Sequence, residues 1–169
     1  MERRETEFQD ALSAAVHAAA KRADVRDTVE DVYRDLTTKI EERRPVCLVS
    51  GRCCRFEEYD HRLYVTTLEL AAFVHGFETG VRNETLTAAM RDWDGTGCPF
   101  QIARLCGVHA IRPFGCRIFF CDATATQWQQ EAYELFHGRL KRLHEELGVP
   151  YFYVEWRQAL RAVLRWPTS

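Results

Sequence analysis

Along the N-terminal quarter of the chain, apolar side chains recur three and four residues apart. Phe8, Leu12, Ala15, Val16 and Ala19 share one stripe, and Val25, Val29, Val32, Leu36 and Ile40 share another, with acids and bases opposite. This spacing predicts a helical flank over residues 5–42, either as one long helix or as two with Asp24 capping the second, closed by Pro45. Leu63–Val65 reads as a short extended piece, and Thr66 followed by Glu69 has capping-box spacing for a helix to about His75. Asn83 to Trp93 reads as another short helix, with Leu86, Met90 and Trp93 on its apolar side and a turn at Asp94–Gly97. Residues 98–122 show no period and are rich in cysteine, proline and glycine, which predicts mostly irregular chain. Thr126 to Leu147 is strongly patterned, with Trp128, Ala132, Leu135, Phe136, Leu140, Leu143 and Leu147 inward, Gly148 as C-cap and Pro150 as stop. Tyr153 to Trp166 reads as a last helix with Val154, Leu160, Val163 and Leu164 facing inward. At this spacing the aromatics Trp128, Tyr133, Phe136 and Trp156 belong to the core.

The expected architecture is therefore mainly α, a small single-domain helical bundle over residues 1–169. Its parts are the flank, an irregular cysteine-rich metal-binding core over 45–122 and a C-terminal helical pair over 126–166. Composition agrees, since 169 residues with 46% apolar and 28% charged side chains suit one domain with a real core. A formal net charge of −2 argues against a dedicated nucleic-acid binder. Basic residues at Lys141–Arg142 and at Arg157, Arg161 and Arg165 are interrupted by acids and read as solvated helix faces. The start of the chain is too charged for a signal-peptide core, the alanine run Ala14–Ala20 is broken by His17, and no stretch suits a membrane span. A reducing cytoplasm is the expected location, and structural disulfides are uncommon there.

Cysteine changes the picture. All seven cysteines lie between Cys47 and Cys121, and three of them fall within the eight residues Cys47 to Cys54. Core filler would be spread over every buried face. Disulfides fit poorly, because seven is odd and Cys53–Cys54 would close a strained ring between neighbours. Metal ligation fits better, since thiolates are preferred by zinc and by iron–sulfur clusters. Cys47, Cys53, Cys54, Cys98, Cys106, Cys116 and Cys121 are the candidate ligands, on loops that Gly51, Gly107 and Gly115 allow to turn tightly. Thiol catalysis is a rival reading that would pair Cys121 with His137 or His144, both expected on the outer part of the 126–147 helix.

Two stretches also resemble a known family. Cys98-Pro99-Phe100, followed by Cys106-Gly107-Val108-His109-Ala110-Ile111-Arg112-Pro113-Phe114-Gly115-Cys116-Arg117, is similar to the second motif of the CxxCxxCC zinc- or iron-chelating cysteine-cluster family, the YkgJ-like proteins. Cys47, Gly51, Cys53 and Cys54 match its first motif, and Ser50 stands where the family has a second cysteine. The resemblance covers about residues 45–121. It implies a metal centre shared by the two motifs, with Cys121 or His109 as replacement donor for the position held by Ser50.

For the metal, zinc needs four ligands and leaves spare thiols, whereas a four-iron cluster suits a larger apolar cage. Phe100, Phe114, Phe119 and Phe120 are the expected cage, and Arg112 and Arg117 the expected donors to an anionic cluster or, alternatively, ion-pair partners of Asp122 or Glu57. Family members that methylate flagellin lysines are credited with an iron–sulfur cluster, which favours a [4Fe–4S] centre over zinc. The leading expectation is an iron–sulfur protein for electron transfer or redox sensing with a protein partner. The alternatives are a structural zinc protein acting as an interaction module, and an S-adenosylmethionine-dependent lysine N-methylase-like enzyme, for which no glycine-rich nucleotide fingerprint is present.

Overall fold

The computed structural model describes residues 2–164 and Trp166. Two helices build the N-terminal flank, α1 (Glu2–Ala20) and α2 (Ala23–Arg43). Arg22, with extended backbone, is the N-cap of α2, so Asp24 is not the cap; it lies in the first turn and takes the Arg22 guanidinium at 2.7 Å. A second bond from Arg22 to the Leu147 carbonyl ties the break to the far end of the molecule. Arg44 closes α2 in the left-handed conformation immediately before Pro45.

At the centre lies α3 (Thr67–Gly76), capped as its spacing predicted: the Thr66 side chain accepts from the Glu69 N–H and the Glu69 carboxylate from the Thr66 N–H. Leu68, Leu70, Ala71, Phe73 and Val74 are all buried, because α1, α2 and other elements pack around this helix on several sides. A π-turn, Phe77–Val81, prolongs it, and α4 (Glu84–Arg91) follows with Asn83 as cap and Leu86 and Met90 buried. Trp93 lies beyond α4 and packs against Trp166.

Three expectations are corrected. Residues 153–155 do not open a helix. They form β4 (Tyr153–Glu155), antiparallel to β1 (Tyr64–Thr66), because an aromatic, β-branched run finds a free strand edge there. Glu155 then caps α7 (Trp156–Val163). Residues 98–122 are more ordered than their composition suggests: β2 (Gln101–Ile102) and β3 (Leu105–Cys106) make a small hairpin, and His109–Ile111 form one 3₁₀ turn before α5 (Phe114–Ile118). On α6 (Thr126–Leu147), Leu135 is exposed and His144 buried. The buried stripe climbs every fourth residue through Ala132, Phe136, Leu140 and His144, which turns Leu135 out.

Two apolar clusters share α2. One joins α1, α3, α4 and α7 around Phe73, Phe77, Phe100 and Trp156; the other joins α2, α5 and α6 around Leu36, Phe114, Ile118, Phe136 and Leu140. On α7, Arg157 pairs with Glu57 and Glu155, and Arg161 lies over the Trp93 ring; Arg165 falls outside the described residues. Among the described residues no helix is long and apolar enough to cross a membrane.

Glu69 links the two clusters. Its carboxylate is buried, takes the N–H and hydroxyl of Thr66 on one oxygen and takes the Phe114 N–H on the other at 3.0 Å. The start of α5 is thereby pinned to the start of α3. Burial pushes the Glu69 carboxyl up to about 7, outweighing these bonds to Thr66 and Phe114, which pull it down. Folding therefore takes up a proton between the ordinary carboxyl range and about 7, and the stability held by the protonated form is lost as pH rises through that window. Urea unfolding at pH 5 and pH 8 should show wild-type stability falling with pH by an amount on the order of 2 kcal/mol that Glu69→Gln removes.

Candidate metal centre

Backbone bonds draw the two cysteine loops together before any side chain is considered. Gly51, in the left-handed conformation at φ 71°, starts a single 3₁₀ turn, Arg52–Cys54, that presents Cys53 and Cys54. The Cys54 carbonyl accepts the Cys98 N–H at 2.8 Å, and the Gly51 carbonyl accepts the Gln101 side-chain amide at 2.9 Å. Both contacts need a missing Cβ. A Cβ on Gly97 would lie 2.7 Å from the Cys54 carbonyl oxygen, and one on Gly51 would lie 2.5 Å from the Gln101 amide nitrogen. Hairpin β2–β3 brings Cys106 opposite Gln101, and its turn holds Ala103 and Arg104 at φ 48° and 69°. Cys116 arrives on α5, whose Phe114 and Ile118 are clamped in the second apolar cluster.

Five of the seven cysteines meet as a result. The Cys54 thiol is near enough to those of Cys53, Cys98 and Cys106 for each to act on its proton, and Cys116 is close enough to feel Cys53, Cys98 and Cys106 electrostatically. Cys121 stands at the side, its sulfur 3.4 Å from the Ser50 hydroxyl. Cys47 is exposed. A cavity of about 260 Å³ opens above this knot, and Cys47, Cys53, Cys54, Cys106, Cys116 and Cys121 all contribute to its wall. All seven thiols are free. Among the described residues, no set of three or more His, Cys, Asp or Glu side chains is already spread into an arrangement that would hold a metal ion.

The electrostatics are those of a site ready to carry negative charge. The neighbouring Cys54 thiol holds Cys53 down to about 6 and Cys106 down to about 7, and the Arg112 guanidinium acts in the same direction on both. Cys54 is raised by the neighbouring thiols, and burial raises Cys116. Arg112, on the wall of the same cavity, carries a buried Nε–H with no partner, so a donor is left over there. This orphaned donor and the soft, partly ionised donor set both fit a thiolate-bound metal or cluster.

The two arginines of the motif divide. Arg112 acts on the thiols, whereas Arg117 bonds the Arg112 and Ala110 carbonyls and lies over the Tyr33 ring, so it braces the loop at the edge of the cavity. Neither pairs with Asp122 or Glu57: Asp122 accepts from Thr124 and from the Val46 N–H, and Glu57 accepts from Arg157 and the Gly97 N–H. The expected aromatic cage is half present. Phe119 and Phe120 line the cavity, but Phe100 and Phe114 are drawn into the core clusters, where their rings pack on Phe73, Phe77 and Trp156 and on Tyr133 and Phe136. His109 stands at the cavity wall, its imidazole lowered by burial and then by Arg112 and Arg117.

His137 contacts Tyr133, Tyr151 and Tyr153, and buried His144 contacts Val149 and Tyr151, so neither forms the thiol pair with Cys121 that sequence allowed. Sequence reasoning missed His61, whose ring stacks on Phe119 and reaches the Cys53 carbonyl at 3.3 Å. It also missed Arg52 and Arg104 at the cavity mouth, since a lone arginine in a loop carries no periodic signal.

Two glycines in the same backbone region separate clash from strain. Gly97→Ala should cost roughly 2–4 kcal/mol in urea unfolding, because its Cβ meets the Cys54 carbonyl, while Gly148→Ala, with open space around it, should cost only about 1 kcal/mol. Comparison of the chain with protein-family models, with characterised proteins and with solved structures finds no match.

Proposed function

We propose that this protein is a cysteine-cluster metal protein whose centre lies between the Cys53–Cys54 turn and the Cys98–Cys116 segment. One observation carries the reading. Cys53, Cys54, Cys106 and Cys116, from both loops, line one cavity, the Cys54 carbonyl holds the Cys98 N–H, and Cys53 and Cys106 are lowered toward the thiolate. Clustering thiols this closely without a disulfide disfavours their ionised forms through mutual repulsion, and a cation among them removes that cost. The similarity of residues 45–121 to the CxxCxxCC family supports the same conclusion.

The first reading of the centre is an iron–sulfur cluster serving electron transfer or redox sensing. It is supported by the 260 Å³ cavity with six cysteines on its wall, which is more room than a single ion uses, and by the orphaned Arg112 donor beside the thiols. The second reading is structural zinc, favoured by the number of thiols gathered near Cys54, of which one tetrahedral ion takes four at Zn–S bonds of about 2.3 Å. A lysine N-methylase-like activity gains no further support from the site.

Anaerobic purification with elemental analysis and an absorption spectrum tests both readings. Iron with sulfide and a broad band near ~400 nm is expected for the first, and stoichiometric zinc without colour for the second. A chain that purifies and remains folded with neither metal refutes the proposal. Cys54→Ala and Cys116→Ala should each release the metal and lower unfolding stability by several kcal/mol, roughly 3 or more, since ligand loss is coupled to folding. Ser50→Cys places a further thiol beside Cys121 and should retain full metal content by the same assay.

A further inference from the structure

The surface around the cavity mouth is unlike the rest of the molecule in two respects. Among the described residues ten large apolar side chains stand exposed; Val49, Leu105 and Phe119 line the opening, and Val46 and Leu48 flank Cys47, another residue of its wall, all five between 38% and 67% accessible. Scattered exposed apolar residues are ordinary, but half of them gathered around one opening are not. Charge is the second respect. In a chain with 25 acids and 23 bases, the cavity wall carries Arg52, Arg104, Arg112, Arg117 and His109 and no carboxylate.

None of those four arginines is ion-paired among the described residues: Arg52 lies over the Tyr59 ring and Arg117 over that of Tyr33. Asp122, next to Cys121, is occupied by Thr124 and the Val46 backbone. A four-thiolate zinc site or a [4Fe–4S]²⁺ cluster with four thiolates carries about two negative charges, so four guanidiniums leave the loaded face positive under either reading.

Backbone conformation supplies an independent mark. Among the described residues, three of the five non-glycine residues with positive φ, Val49, Ala103 and Arg104, sit at the tips of these loops. For a β-branched residue such as Val49 this conformation is costly, and such cost persists where the surroundings impose a particular loop shape. Here the imposed shape holds Leu48, Val49 and Leu105 toward solvent around a basic concavity.

We infer that the cavity mouth is a docking face for an acidic protein partner, one whose contact surface sets carboxylates around an apolar centre. The apolar tips supply the desolvated middle of the contact, and Arg52, Arg104 and Arg112 meet the carboxylates. An anionic membrane is disfavoured because the apolar residues come from three separate segments around a concavity rather than from one amphipathic helix, and no lysine lines the wall. The inference rests on the proposed metal centre for the purpose of docking, while its surface chemistry is measured on its own.

The probe is a pair of fluorescein-labelled peptides, one with glutamates and aspartates flanking Leu and Phe, the other with lysines in place of the acids. Both are titrated by anisotropy against the full-length protein as isolated, with metal per chain measured on the same sample. The acidic peptide should bind at least tenfold more tightly than the basic one, and salt should weaken it, as expected of charged rims. Arg104→Glu and Leu48→Ser should each weaken it severalfold with metal content and Tm unchanged. Equal binding of the two peptides, no binding of either, or indifference to both variants overturns the docking face, as does binding to phosphatidylserine vesicles that the acidic peptide does not displace. Absence of metal in that sample instead refutes the metal centre, and the peptide titration still decides the surface.

Discussion

The Cys98 N–H donated to the Cys54 carbonyl is the contact on which the centre depends. It joins segments far apart in the chain by one short backbone bond, and only a residue without Cβ at position 97 leaves room for it. The vicinal thiols hang from one side of it, and on the other side Cys98 leads into the hairpin that returns Cys106. Remove the bond and the thiols lose their common direction, whatever the helices do.

The helices nevertheless decide where that bond can form. α5 brings Cys116 to the knot because Phe114 and Ile118 are held by α2 and α6, and because Glu69 takes the Phe114 N–H. A buried carboxylate is an expensive anchor. Its cost is offset by doing two tasks at once, closing the capping box of α3 and fixing the start of α5, so the cysteine segment inherits the rigidity of the core. The division of the aromatic residues follows from the same packing. Phe100 and Phe114 serve the core and thereby hold the loops, while Phe119 and Phe120 are left to face the cavity.

Electrostatics then connects the knot to the surface. The neighbouring thiols hold their protons unequally, with Cys54 raised and Cys53 and Cys106 lowered toward the thiolate, and Arg112 lowers the latter two in the same direction. The arginines around the opening have no carboxylates of their own beside them, so their field acts inward on the sulfurs and outward on whatever approaches. The same arginines thus underlie both the proposed metal centre and the proposed docking face.

Local periodicity by itself marked most of the helices, though not α5, the start of α7 or the break between α1 and α2. The stripes of α1 and α2, the Thr66–Glu69 cap, the run of α6 to Gly148 and the gathering of cysteine into one central segment were all legible, since each depends on neighbours within a turn or on composition. Only the tertiary structure decided the rest. β4 exists because β1 offers a partner edge, His144 is buried because α6 is rotated against its neighbours, and the convergence of five thiols depends on a backbone contact spanning dozens of residues. Which arginine turns to the sulfurs and which to a tyrosine ring was equally beyond the sequence. Arg112 and Arg117 sit in the same motif and on the same cavity wall, and their roles differ because Arg117 is taken up by the Tyr33 ring and by loop carbonyls once the helices have packed.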